Sequence, residues 1–423
     1  MKLLLITPFP PTKAPEVDHA VYLCDNLARA GVDVHVLTTK QSKPISRPGV
    51  TVHPDLGSWS WSSLPNLALR LRLYSPDVVM LMYLSWAYNS HPMMTFVPTV
   101  SKKILPRTRF VTLVESHYGV DPRRAYYGTS CFGMASRLDR WIYRAVSRFT
   151  GLPARDFWAD YGEGDLGTLL RDSDHLIVVS ERIRKILMGR LPCVSSKTTV
   201  IPAPSLVRIL PEDEGRVRRA GRESLGIAPE EFVLAYFGYT YPGKGVETLL
   251  RAFPLVNRGK KKLRLLLVGG SLNLGWKPRY TEELHELVSQ LGIDQEVIWT
   301  GEYPAESDNA SRFLRAADAC VLPFDSGVCI HNSSFATAVT HGLPVITTRG
   351  DDLEKAFVDG ENVLLCPPKD PEAMAGLIEI LIDRPELQRR LRTGALAMAH
   401  EWFSWDKATE RTIATCSGGA HYL

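Results

Sequence analysis

The sequence predicts an α/β protein made of two doubly wound parallel-sheet domains in tandem, and three observations predict it. Short, almost uninterrupted apolar runs alternate with stretches of helical apolar spacing, as strands do when crossover helices bury both faces of their sheet. This cycle begins at Leu3 and begins again at Phe232. The chain has 423 residues, which at roughly 100–200 residues per domain is room for two or three separate cores.

Taken in order, residues 3–7 read as a buried strand, and residues 20–30 follow with Val21, Leu23, Leu27 and Ala28 at helical spacing. Gly31 ends that helix, and VDVHVLT at 32–38 is the second strand. Residues 76–84, 109–114 and 175–180 are further strands. From Glu231 the second domain runs through a strand at 232–237, a helix at 245–253 and a strand at 263–270. A helix at 281–291, strands at 297–300 and 319–323, a helix near Ser334 and a strand at 344–348 complete the pattern. Residues 202–226 are rich in Pro, Gly and charge and read as a surface linker or capping helix, so the boundary is placed near residue 205. Paired α/β domains bind ligands where the carboxyl ends of their strands meet, which makes an interdomain cleft the expected site.

Composition narrows the function. A formal net charge of +4 is small for this length and disfavours a nucleic-acid binder held by phosphate neutralisation. Hydrophobic residues at 45% and charged residues at 23% are those of an ordinary globular chain, not a disordered one. The 7 cysteines contain no C-x-x-C pair, so neither a zinc module nor a disulfide framework is expected, and reduced thiols in a cytoplasm are the simplest reading. The apolar run after Lys2 is too short for a secretory signal, and no run approaches the ~18 apolar residues of a spanning helix.

Three constellations can carry chemistry. In PFDSGVCIHNSSFATAVTHGLPV, residues 323–345, a strand end passes through a loop into a helix opening at Ser333 or Ser334. Asn332, Ser333 and Ser334 read either as helix caps or as the start of an anion site, where free helix amides take phosphate oxygens. In FGYTYPGKG, residues 237–245, Lys244 stands ahead of a helix and reads either as a solvated lysine or as a cation for an anionic ligand; the missing Ser/Thr after it excludes a P-loop. His117, after the strand 109–114, reads either as a structural histidine or as a group that meets a ligand at the sheet edge. Asp172–Asp174 resembles a D-x-D metal motif, but it precedes a strand, so a turn or cap is expected and no metal is predicted. TPFPPTKAPEVDH lacks G-x-G-x-x-G, which disfavours a nicotinamide dehydrogenase.

The helical stretch 134–149 places Leu138, Trp141, Ile142, Ala145 and Phe149 on one face, with Arg137, Arg140, Arg144 and Arg148 largely on others. Core packing of that stripe is the favoured reading, with peripheral contact to an anionic membrane as the alternative. Trp59, Trp61, Tyr83, Trp86, Tyr126 and Tyr127 either pack the first domain or stack on a sugar or an apolar aglycone, and residues 121–167 are long enough to form an acceptor lid.

Together the segments resemble the retaining nucleotide-sugar glycosyltransferases of family 4, which have the GT-B fold. ARAGVDVHVLT, VESHYG, FGYTYPGKGVETLLRAF, LLLVGG, TGEY, AADACVLPF, HGLPVITT and DGENVLLCPPKDPEAMA occur in that family's order over nearly the whole chain. The resemblance implies an acceptor-binding domain at 1–205, a donor-binding domain at 206–395 and a helical segment at 396–423 that crosses back to the first domain. It implies that Lys244 and the Ser333/Ser334 helix start hold the donor diphosphate, with His117 meeting donor sugar or acceptor. Gly238, Tyr239, Gly269, His331, Asn332 and Thr337 would complete the donor site. Departures are plain: Cys329 and Thr337 stand where the family's E-x7-E places glutamates, Tyr239 where it places an arginine, and Pro15 and Glu16 where it places two glycines.

The implied activity is transfer of a sugar from a nucleoside-diphosphate sugar with retained configuration, without metal or further cofactor. The acceptor is open: a glycan, a lipid-linked sugar or a small aglycone. A nucleotide-sugar epimerase or hydrolase on the same fold, and a non-catalytic sugar-nucleotide binder, are the alternatives.

Overall fold

Leu3, Leu4, Leu5 and Ile6 have no exposed surface because their strand has hydrogen-bonded neighbours on both sides and helices above and below. The computed structural model describes residues 1–12, 15–40, 47–117, 135–151, 166–256, 262–272, 277, 279–303 and 307–418. They form two units, Met1–Pro202 with Trp405–Leu423, and Ala203–Ser404.

The first unit contains β1 (Lys2–Ile6), α1 (Pro15–Arg29), β2 (Asp33–Thr39), β3 (Val50–Leu56), α2 (Leu64–Tyr74), β4 (Val78–Tyr83) and α3 (Val97–Ile104). It continues with β5 (Arg109–Val114), α4 (Ala135–Phe149), α5 (Leu169–Asp172), β6 (His175–Val178), α6 (Glu181–Arg190) and β7 (Thr198–Val200). All strands are parallel, in the order β3-β2-β1-β4-β5-β6-β7. The second unit runs α7 (Glu214–Ser224), β8 (Phe232–Phe237), α8 (Val246–Leu255), β9 (Leu263–Val268), α9 (Tyr280–Gln290), β10 (Val297–Trp299) and α10 (Asn309–Ala316). Then come β11 (Ala319–Leu322), α11 (Ser333–Thr340), β12 (Val345–Thr348), β13 (Leu364–Cys366), α12 (Pro371–Asp383) and α13 (Pro385–Trp402). Its parallel order is β10-β9-β8-β11-β12-β13. The last helix, α14 (Trp405–Ser417), lies on the first unit, where Trp405 stacks on Tyr22 at 5.7 Å and tilts over His19 at 5.9 Å.

The central strands are those expected from their apolar runs. Sequence reading missed β3, β7 and β13. These are short or edge strands: β3 is VTVHPDL with only its end residues buried, and an edge strand half in water carries no continuous apolar run.

The 202–226 stretch is no loose connector, because Asp213 caps α7 by accepting from the Arg216 amide at 2.9 Å. Arg218 and Arg222 donate to Asp318 at 2.6 and 2.8 Å, and Arg222, 5% exposed, also serves four carbonyls of Ala316, Ala228, Pro229 and Glu231. Charge that reads as solvated in the sequence is a buried clamp here.

The favoured packing of the 134–149 stripe is corrected. In α4, Trp141 is 67% and Phe149 79% exposed, while Ile142 and Val146 turn toward the protein. The side chain of Leu138 and residues Tyr126 and Tyr127 lie outside the described residues, as does most of 121–167. Tyr83 is fully buried, Trp59 packs edge-on against Tyr88 at 5.0 Å, Trp61 packs against His91 and Phe96, and Trp86 is exposed.

Candidate functional site

In a doubly wound sheet the loops on either side of the point where strand order reverses diverge, and a crevice opens at the strands' carboxyl ends. In the second unit that point lies between β8 and β11. The loop after β8 carries Gly238 to Gly245, the loop after β11 carries Pro323 to Asn332, and the expected donor residues sit on these two loops, on β9's end and on α11.

Gly238 leaves β8 with φ 125°, and a Cβ there would face the Cβ of Ser334 at 3.6 Å. Gly269, at the end of β9, lies so close that a Cβ would stand 2.5 Å from the Gly238 carbonyl oxygen. A side chain at Gly269 would force the ends of β8 and β9 apart, whereas at Gly238 the positive φ, not lack of space, favours glycine. Tyr239 is 38% exposed, and its carbonyl accepts from the buried Tyr236 hydroxyl at 3.0 Å.

Lys244 is half-buried. Its Nζ lies 5.1 Å from the Tyr241 ring centre and 5.0 Å from that of Phe324, over two aromatic faces. No carboxylate lies within ion-pair distance of it among the described residues. Burial lowers its pKa from 10.5 to about 8.

At α11 the capping reading fails. Asn332 occupies the cap position, but its Oδ1 accepts from the Cys329 amide at 2.7 Å and makes no bond to the helix. The amides of Ser333, Ser334 and Phe335 have no acceptor among the described residues. Ser334, 4% exposed, has a buried hydroxyl without a hydrogen-bond partner. A native fold leaves few such groups unless something else satisfies them. The approach loop is held by Glu354, which accepts from the Ile330 amide at 2.6 Å, and by the Val328 amide donating to Thr348 at 2.9 Å. His331 Nδ1 lies 2.8 Å from Cys329 Sγ. Thr337, one turn further on, is 1% exposed and accepts from the Ser205 hydroxyl at 3.2 Å.

The structure therefore gathers Gly238, Lys244, Gly269, Ser333 and Ser334 at one end of one sheet. Tyr241 and Phe324 under the lysine, and Glu354 behind the loop, were missed by sequence reading, because no spacing in the chain announces these contacts.

His117 belongs to the first unit, two residues past Glu115 at β5's carboxyl end, and is half-buried. Glu115 pairs with His19 Nδ1, which is 6% exposed under Trp405; no sequence spacing announces that group. Asp172 accepts from Thr99 and Arg171, while Asp174 accepts from the Phe110 amide at 2.8 Å and pairs with Lys102 at 2.6 Å. Those carboxylates tie α3, α5 and β5 together.

A model of Glycosyltransferase Family 4 matches residues 17–204, and one of Glycosyl transferases group 1 matches 231–384. The chain belongs to glycosyltransferase family 4. It is 30% identical over 255 residues to the D-inositol 3-phosphate glycosyltransferase of Actinosynnema mirum, covering 58% of each chain. With the protein of that name from Jonesia denitrificans it shares 29% over 223 residues, 51% of this chain and 50% of the relative. With that from Streptomyces scabiei it shares 28% over 422 residues, 95% and 86%. The Streptomyces scabiei protein apart, the chain spans about half the length of these curated relatives.

Among solved structures, this family-4 chain superposes on a glycosyltransferase from Rickettsia africae with TM-score 0.69 at 12% identity, covering 99% and 98% of the two chains. On Anabaena HepE in complex with UDP and glucose the TM-score is 0.67 at 14% identity, covering 99% and 100%. On sucrose-phosphate synthase from Thermosynechococcus elongatus it is 0.66 at 17%, covering 99% and 98%. The fold is GT-B, with Rossmann-like sheets.

Proposed function

We propose that the chain transfers a glycosyl group from a nucleoside-diphosphate sugar to an acceptor hydroxyl, with retention of configuration and without a metal ion or further cofactor. One observation carries the reading. At the switch point of the second sheet, a half-buried lysine without a carboxylate partner, three helix amides without acceptors and a buried serine hydroxyl without a partner stand together. A diphosphate supplies what all three lack: negative charge and several acceptor oxygens. The family, the glycosyltransferase names of the relatives and the UDP and UDP-glucose in the HepE complexes support it.

In this reading the bond between the anomeric carbon and the β-phosphate oxygen breaks, and the bond to the acceptor oxygen forms on the same face. The acceptor proton passes to the departing phosphate. Lys244 and the amides of α11 stabilise the charge that grows on that phosphate, a role worth about 100-fold or more in rate per donor group. Gly238 and Gly269 let the backbone lie against the phosphates, and His331, Asn332, Tyr239 and Thr337 complete the donor pocket. His117 meets donor sugar or acceptor from the first unit, which binds the acceptor.

The test is product analysis with the purified chain, a panel of nucleotide sugars and acceptors including a polyol phosphate, with and without chelator. Expected is an α-linked product from an α-linked donor, undiminished by chelator, and lost in Lys244→Ala. Donor conversion without any acceptor would favour an epimerase or hydrolase, and binding without conversion over the whole panel would sink the transferase reading.

A further inference from the structure

The exposed face of α4 has no place in the donor site. At about 100° per residue, Arg144, Arg148, Trp141, Ala145 and Phe149 fall in one arc of roughly 140°. All five are exposed, while Ile142, Val146 and Ser147 on the other side are half-buried or buried. The arc has a basic edge and an aromatic edge. Lys103, from the end of α3, lies with its Nζ 4.2 Å from the Phe149 ring centre, and Arg107, four residues on in the chain, is exposed. Among the described residues, Asp174 is paired with Lys102 and Asp172 with Arg171. Lys103, Arg107, Arg144 and Arg148 are all exposed and have no ion pair among the described residues.

We infer that this face docks the protein on an anionic lipid surface. A Trp at 67% exposure and a Phe at 79% on one helix leave apolar area in water that a bilayer interface would cover, and the cations beside them complement acidic headgroups. A second copy of the chain would bring four cations against four, so charge argues for lipid over self-association. The helix lies on the surface: among the described residues, no helix is long and apolar enough to cross a membrane. The inference goes beyond the transferase reading and does not depend on it.

Sedimentation of the full chain with vesicles tests it. Vesicles of phosphatidylglycerol and phosphatidylcholine in equal parts are expected to carry the protein down at low salt, and pure phosphatidylcholine to leave it in solution. The double variant Arg144→Glu with Arg148→Glu should lower partitioning by about 30-fold or more, and Trp141→Ser with Phe149→Ser by about 10-fold or more. Both pairs are surface changes, and far-ultraviolet circular dichroism should be unaltered. Equal sedimentation with both vesicle types, no sedimentation with either, or indifference to both variants would overturn the inference. So would loss of a concentration-dependent oligomer in the Trp141/Phe149 variant in place of lost vesicle binding, which would assign the face to a second copy.

Discussion

Replacing Lys244 by Met should improve the stability of the unliganded protein while removing its affinity for a nucleoside diphosphate. The lysine's pKa falls from 10.5 to about 8 because burial penalises the ammonium. The folded state thus holds the proton less firmly than the unfolded chain, so the cost to stability is fully present below pH 8 and is relieved as pH rises from about 8 to 10.5. At about 1.4 kcal/mol per unit the full cost would be near 3.5 kcal/mol; partial exposure and the two aromatic faces reduce it to roughly 1–2 kcal/mol. Methionine keeps the apolar stem and removes the charge. Urea titration at pH 7 should show the gain, and at pH 10.5 the two proteins should be alike. Binding has the opposite sign. A pKa near 8 leaves the lysine about nine-tenths charged at pH 7 and one-tenth at pH 9, so UDP affinity measured by calorimetry should fall about 10-fold across that interval. The Lys244→Met profile should be flat and weak. A flat profile in the unaltered protein, or a methionine variant that binds as tightly, would refute the assignment of this cation to the ligand.

Ser334→Ala removes a buried hydroxyl that has no partner, so unliganded stability should be unchanged or higher by less than about 1 kcal/mol, while calorimetry should show UDP affinity lower by roughly 3–10-fold. Asp318→Ala should cost about 3–5 kcal/mol in urea unfolding, because it strips the buried Arg222 and the half-buried Arg218 of their shared carboxylate and the Val233 amide of its acceptor; a loss under 1 kcal/mol would contradict the clamp.

The sequence by itself determined the two parallel sheets. A strand buried on both faces must be apolar throughout, and a covering helix must be apolar on one side, so LLLI, FVLAYF and LRLLLV declare themselves. It also placed Gly238, Lys244 and Ser334 immediately after strands or at a helix start, where a doubly wound sheet keeps its ligands. The tertiary structure decided which neighbours each residue has. Lys244 reads first as a solvated lysine until Tyr241 and Phe324 are found beneath it. Asn332 reads as a cap until its amide oxygen is seen turned back to Cys329. The DSD carboxylates are spoken for only once Thr99, Lys102 and Phe110 arrive from elsewhere. The stripe of α4 fits a core until Trp141 and Phe149 are seen in water. Periodicity records whether an element is buried, since every residue of the element shares that fate. Whether a single charge or hydroxyl finds a partner depends on how individual side chains are turned and on groups often tens of residues away, and only the folded chain fixes both.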